Sequence, residues 1–148
     1  MPTPYDITAH LHEQIPLTQA MGLAVTSWDG VTVTLTAPLA PNQNHADTAF
    51  GGSISTLGIM AGFCLLTLLF KDRNISTRVL IQKSTTDFLR PIDGDLIATA
   101  TLPPANDLAD FLTTIQRKRR ARIELTSEVS SRGLVAARHT GLFVALLY

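Results

Sequence analysis

Residues 50–70 read FGGSISTLGIMAGFCLLTLLF, a run without one charged side chain. By length and apolarity it meets the criterion for a membrane-spanning helix. A helix that is apolar on every side also suits the buried axis of a protein wrapped by sheet. The polar Ser53, Ser55, Thr56 and Thr67, the small Gly58 and Gly62, and the strand-like segments that follow favour the second reading. A helix from Ser53 to about Phe70 is therefore expected inside a sheet.

Working outward, residues 38–53, PLAPNQNHADTAFGGS, form a turn-rich polar connection into that helix. Before it, residues 23–28 and 31–37 flank Asp29-Gly30, the dipeptide of two-residue hairpin turns, and VTVTLTA alternates in strict period two. Earlier still, Ile7, Leu11 and Ile15 recur every four residues on one helical face, with Asp6 placed as an N-cap and Pro16 ending the run. Gly22 suits a left-handed stop.

After Asp72-Arg73-Asn74, strand patterns return at residues 75–89 and 96–102, with Arg90-Pro91 and Asp93-Gly94-Asp95 between them. Residues 106–114 read as either a helical turn or a loop. Residues 121–130 and 134–147 form a last hairpin around Arg132-Gly133. The order implies an α+β domain, one antiparallel sheet around one central helix. Such a sheet leaves edges that a second copy would cover, so a dimer or tetramer is expected.

With 148 residues, 45% of them hydrophobic, the chain fits a single domain, 1–148. Its 12 Lys+Arg balance 12 Asp+Glu, which removes any global electrostatic preference for nucleic acid or an anionic membrane. The lone Cys64 forms no intrachain disulfide, and the N-terminus lacks the layout of a signal peptide, so a cytoplasmic location is expected.

The segment PNQNHADTAFGGS, supported downstream by DFLRPIDGDL and KRRARIEL, resembles the hotdog-fold thioesterase superfamily. Within it, the likeness is to the thioesterase family related to the C-terminal domain of the acetyltransferase-like protein YiiD, and it runs from Leu11 through the last strand. The resemblance implies a hotdog fold and an acyl-thioesterase acting on acyl-coenzyme A or an acyl carrier protein. Thioesterases of this fold carry an Asn, then His-Gly-Gly at the helix start, and often an acid about two turns into the helix. Asn44 and Gly51-Gly52 match; Phe50 stands in place of the His, and Gly58 and Ile59 stand where the acid belongs.

Hydrolysis needs a polarised carbonyl and an activated water. A helix starting at Gly51-Gly52 offers free N–H groups and the positive end of its dipole, with glycine admitting close approach; the same glycines also serve tight helix packing. For the water, Asn44 is the orienting amide and His45 or Asp47 the base, each with a plainer alternative as a loop or capping residue. Thr48, Phe50, Gly51 and Ser53 are placed on the substrate, Thr48 and Ser53 alternatively as caps. For the basic run 117–122 a solvated turn is the default reading and a nucleic-acid patch the least favoured; if the run meets coenzyme A phosphates, Arg119 and Arg122 are the candidates.

Cys64 reads as a buried thiol, and His10, His12 and His139 lie at no metal-ligand spacing, so no metal and no cofactor are expected. The alternative to an enzyme is a non-catalytic acyl-thioester binding module, favoured by the missing His and acid. Dehydratase chemistry and a purely structural oligomerisation domain are the remaining readings.

Overall fold

The computed structural model describes residues 4–148. In chain order the elements are α1 (Pro4–Gln14), α2 (Pro16–Ala20), β1 (Ala24–Trp28), β2 (Thr32–Ala37), a 3-10 turn (Ala40–Asn42), α3 (Gly51–Asp72), β3 (Thr77–Phe88), β4 (Leu96–Thr101), α4 (Ala105–Lys118), β5 (Arg120–Ser131) and β6 (Leu134–Leu147). The six strands form one antiparallel sheet in the order β1-β2-β4-β5-β6-β3.

The apolar helix is the axis of this sheet. Leu57, Leu65, Leu66 and Leu68 are at most 1% exposed, and two thirds of the most apolar stretch of α3 is buried inside the protein. Sequence and burial agree on β2, where the Thr positions stay half-exposed while Val33, Leu35 and Ala37 enter the core. The helix lies close on β6 because it has two notches there. A Cβ added at Gly58 would meet His139, and one at Gly62 would meet the Phe143 ring.

Several local expectations change. The β1–β2 connection is longer than two residues, because Trp28 pairs with Val33. Asp29 organises it: its Oδ1 accepts from Thr32 N at 2.7 Å and Val31 N at 2.8 Å, which holds its carboxyl below the ordinary value. Asp6 lies within the first turn of α1 rather than capping it, since the helix already runs from Pro4. Gly22 takes the expected left-handed conformation, φ +68.

The ambiguous stretch after Pro104 is the helix α4. Leu108, Phe111, Leu112 and Ile115 recur at helical spacing, Phe111 and Ile115 are buried, and Phe111 packs on Phe70 with ring centroids 5.9 Å apart. Arg119 ends it in the left-handed conformation, so the basic run divides between the end of α4 and the start of β5.

The two sheet edges differ. Along β1, α1 supplies Thr8, whose hydroxyl accepts from Val25 N at 2.9 Å, and His12, whose Nε2 lies 2.7 Å from Leu23 O. Among the described residues β3 has no strand on its outer side, and Leu80 and Ile81 are 51% and 37% exposed there.

Candidate functional site

The connection from β2 to α3 is held mainly by two asparagines. Asn42 is buried, and its Nδ2 donates to Pro38 O at 2.8 Å and Met21 O at 2.9 Å, tying the start of the loop to the end of α2. Asn44 closes the loop on itself. Its Oδ1 accepts from Ala46 N (2.8 Å) and Thr48 N (3.1 Å), while its Nδ2 donates to Thr48 Oγ1 (2.9 Å) and Ala49 O (3.4 Å). Asp47 sits at the tip with φ +63 and takes the Gln43 amide on its Oδ1 at 3.0 Å. Ala49 N then donates to Ile92 O, and Phe50 N to Asn42 O, which delivers the chain to α3 in an extended conformation.

The helix start is open. Among the described residues no side chain caps α3, so neither Thr48, Asp47 nor Ser53 takes the capping role open to it. Ser53 N and Ile54 N both turn back to Phe50 O, whereas the N–H groups of Gly51 and Gly52 have no acceptor among the described residues. These are the orphan donors of a helix N-terminus, carrying the positive end of the dipole of a 22-residue helix.

Two clefts meet there. One of about 420 Å³ runs past Thr48, Gly51 and Ile54 to Phe88, Leu89 and Arg90. The other, about 340 Å³, lies over Gly52, Ser53 and Thr56, with Leu17 and Met21 as its apolar wall. Phe50 stands between them, 57% exposed, its ring folded over Gly52 where any side chain would collide with it.

Thr48, Phe50, Gly51, Gly52 and Ser53 thus line the clefts at one helix end, whereas Asn44 is bonded to Thr48 and Ala49 just before it and Asp47 stays at the loop tip on Gln43, lining neither cleft. His45 is on the loop but exposed, with no hydrogen bond among the described residues. Arg119 and Arg122 are elsewhere. Arg122 pairs with Val144 on β6 while Phe88, beside Gly51, pairs with Ala137, seven residues or roughly 24 Å along the same strand. The Arg122 Nε donates to Gln82 Oε1 at 2.8 Å.

A pair that sequence patterns do not bring together lies one step further along the helix. Ser84 Oγ is 2.7 Å from His139 Nε2, joining β3 to β6 beneath Gly58. His139 is 1% exposed, its Nδ1 has no partner, and burial holds its pKa below the ordinary imidazole value, so the ring is neutral. Next to it Ser55 Oγ donates to Thr86 Oγ1 at 2.9 Å and Ser127 Oγ to Gly58 O at 3.0 Å. Cys64 is inert by comparison, its thiol pushed up to about 12 by desolvation. Among the described residues no cluster of His, Cys, Asp and Glu suits a metal ion.

The fold and chain both have known relatives. A protein of unknown function from Chlorobaculum tepidum superposes with a TM-score of 0.90 at 28% identity, covering 99% of this chain and 98% of that one. A "putative thioesterase" from Shewanella oneidensis gives 0.88 at 26% identity over 97% and 96% of the two chains. A mutant thioesterase of Pseudomonas aeruginosa, only 11% identical, shares the fold with a TM-score of 0.71. The likeness to such structures identifies the architecture as the hotdog fold, a six-stranded antiparallel sheet around a long helix. The model of one family matches residues 5–147, nearly the whole chain, and the protein accordingly belongs to the family described as "Putative thioesterase (yiiD_Cterm)".

Proposed function

We propose that the protein hydrolyses an acyl thioester of coenzyme A or of an acyl carrier protein, in the cytoplasm and as a homodimer or homotetramer. The observation that carries this reading is the uncapped start of α3, where Gly51 lines one partly apolar cleft and Gly52 the other, and their N–H groups have no acceptor among the described residues. Donors fixed in advance at such a point stabilise the oxyanion of a thioester undergoing attack, and losing one costs a few kcal/mol of barrier elsewhere. The acyl chain follows the apolar cleft walls, with Phe50 covering the carbonyl. Thr48 and Ser53 flank it.

Asn44 supports the site by holding the loop in shape through its four hydrogen bonds, and the water is oriented from that loop. His45 and Asp47 remain the loop's titratable groups. The phosphate contacts assigned to Arg119 and Arg122 require a second copy, because in one chain these residues lie far from Gly51.

Purified protein mixed with a panel of acyl-coenzyme A and acyl carrier protein thioesters should release free thiol. Asn44→Ala should lower kcat by about ten- to a thousandfold. The competing reading, a non-catalytic acyl-thioester binding module, is favoured by the exposure of His45 and Asp47 and by Phe50 at the usual His position. Micromolar binding of a non-hydrolysable analogue without turnover of any thioester in the panel would decide for it.

A further inference from the structure

We propose that Ser84 is a nucleophile activated by His139, and that the acyl group it receives is held by the α3 N-terminus of a second copy of the chain. The proposal rests on the thioesterase reading and gives it the reactive group that the loop lacks. Ser84 Oγ lies 2.7 Å from Nε2 of a neutral, buried imidazole, the separation of an activated hydroxyl and its base. Ser84 is an exposed residue of the outer strand whose contact with the ring is part-buried, an arrangement in which the substrate approaches from the strand edge while the base stays dry.

Packing orients the ring where no third hydrogen-bonding group does. A Cβ at Gly58 would come within 2.6 Å of His139 Cβ, and one at Gly141 within 2.9 Å of its Cε1, so helix and strand both spare room for this one side chain. The groups facing the ring from α3, β3 and β5 are Gly58, Ser84 with Thr86, and Ser127, none of them titratable.

The chemistry balances without a further reactant. The Ser84 oxygen bonds to the thioester carbonyl carbon as its proton passes to His139 Nε2. The C–S bond breaks, and the leaving thiolate takes that proton. Water then adds to the acyl-serine, giving its proton to His139, and the carboxylic acid leaves as Ser84 Oγ regains the proton.

The carbonyl oxygen needs donors that this chain's own helix end cannot supply. Gly58, above the pair, is seven residues from Gly51, or roughly 10 Å along the axis. Antiparallel pairing of two β3 edges about a two-fold axis turns the second α3 end for end and brings its N-terminus alongside the middle of the first. β3 invites such pairing. It is twelve residues long, it leaves Leu80 and Ile81 exposed, and it carries Lys83 ahead of Asp87, so a reversed copy that sets Asp87 against Lys83 lays its Phe88, and the Gly51 beside it, opposite Gln82.

The test uses the full-length protein and an alkyl fluorophosphonate, read by peptide mass spectrometry, alongside thioester kinetics. The reagent should modify Ser84 in the parent and not in Ser84→Ala or His139→Gln, and Ser84→Ala should lower kcat on the order of a thousandfold with little change in KM. Gly51→Pro removes one helix N–H in a position that proline fits. Chains carrying Ser84→Ala and chains carrying Gly51→Pro, co-expressed and purified as a mixed dimer, should recover about half the parent rate, since one of two shared sites is intact. An unmodified Ser84, or Ser84→Ala turning over thioester at the parent rate, overturns the nucleophile while leaving the thioesterase reading standing. A modified Ser84 in a protein that hydrolyses no thioester does the reverse. An inactive mixed dimer overturns the sharing between copies.

Discussion

At one side of the sheet β1 is five residues long and lies under α1; at the other β3 runs for twelve with, among the described residues, no strand on its outer side. On the β1 side, side chains of the same chain satisfy the backbone, Thr8 taking the Val25 N–H and His12 meeting the Leu23 carbonyl. On the β3 side, Leu80 and Ile81 are left partly exposed on opposite faces, and a row of backbone groups has no strand to pair with among the described residues. An unprotected edge of this length pairs with whatever strand presents itself unless a partner is provided. One edge is finished by the chain that makes it, and the other is left open among the described residues.

The largest effect should come from the element the two edges share. Leu65→Ala, at a position with no exposure, should lower unfolding stability by about 2 to 5 kcal/mol in urea titration, whichever edge is otherwise altered. Leu80→Lys should break the open edge alone. It should shift the protein to monomer in light scattering, raise the dimer dissociation constant by about a hundredfold, some 2.8 kcal/mol, and leave far-ultraviolet circular dichroism intact. A stable monomer in the unaltered protein would remove the contrast between the edges altogether.

Thr8→Val acts on the closed edge and should cost about 1 kcal/mol through the lost bond to Val25 N, with no change in oligomeric state. The smallest effect concerns pH and the tie between β3 and β6. Because burial depresses the His139 pKa below its unfolded value of 6.5, the unfolded chain takes up a proton more readily at lower pH. The stability from this group is complete above about pH 6.5 and is lost as pH falls below it toward the folded pKa. Urea midpoints measured from pH 7.5 down to 5 should therefore fall less steeply in His139→Gln than in the parent.

The sheet and its axis were legible because their patterns are strict: VTVTLTA alternates, and residues 50–70 admit no charge. The helix α4 was equally written in Leu108, Phe111, Leu112 and Ile115, but its polar residues and the preceding Pro103-Pro104 left a loop open beside a helical turn. At the site, the Asn-to-glycine spacing pointed to the right helix end, whereas a local pattern cannot show that the Asn44 amide is used in closing its own loop. Ser84 and His139 were beyond sequence reasoning for a geometric reason. β3 bulges between Ile81 and Lys83, so Val79 and Ile81 face inward before it and Ser84, Thr86 and Phe88 after it. Period two, applied straight through, puts Ser84 on the wrong face.

Gly58 and Gly62 sit one turn apart on α3, and each receives a side chain of β6. The helix is thereby keyed to the sheet like a shaft with two slots. Sliding it by one residue, or rotating it by the 100° that accompanies such a step, would drive Ile59 or Phe63 into the space of His139 or Phe143. Its axial position is indexed at the middle, while its first turn has no cap of its own. Two glycines well inside the helix thus set the axial position of the Gly51 and Gly52 N–H groups, and a methyl group at Gly58 or Gly62 would be felt as misalignment roughly 10 or 16 Å away.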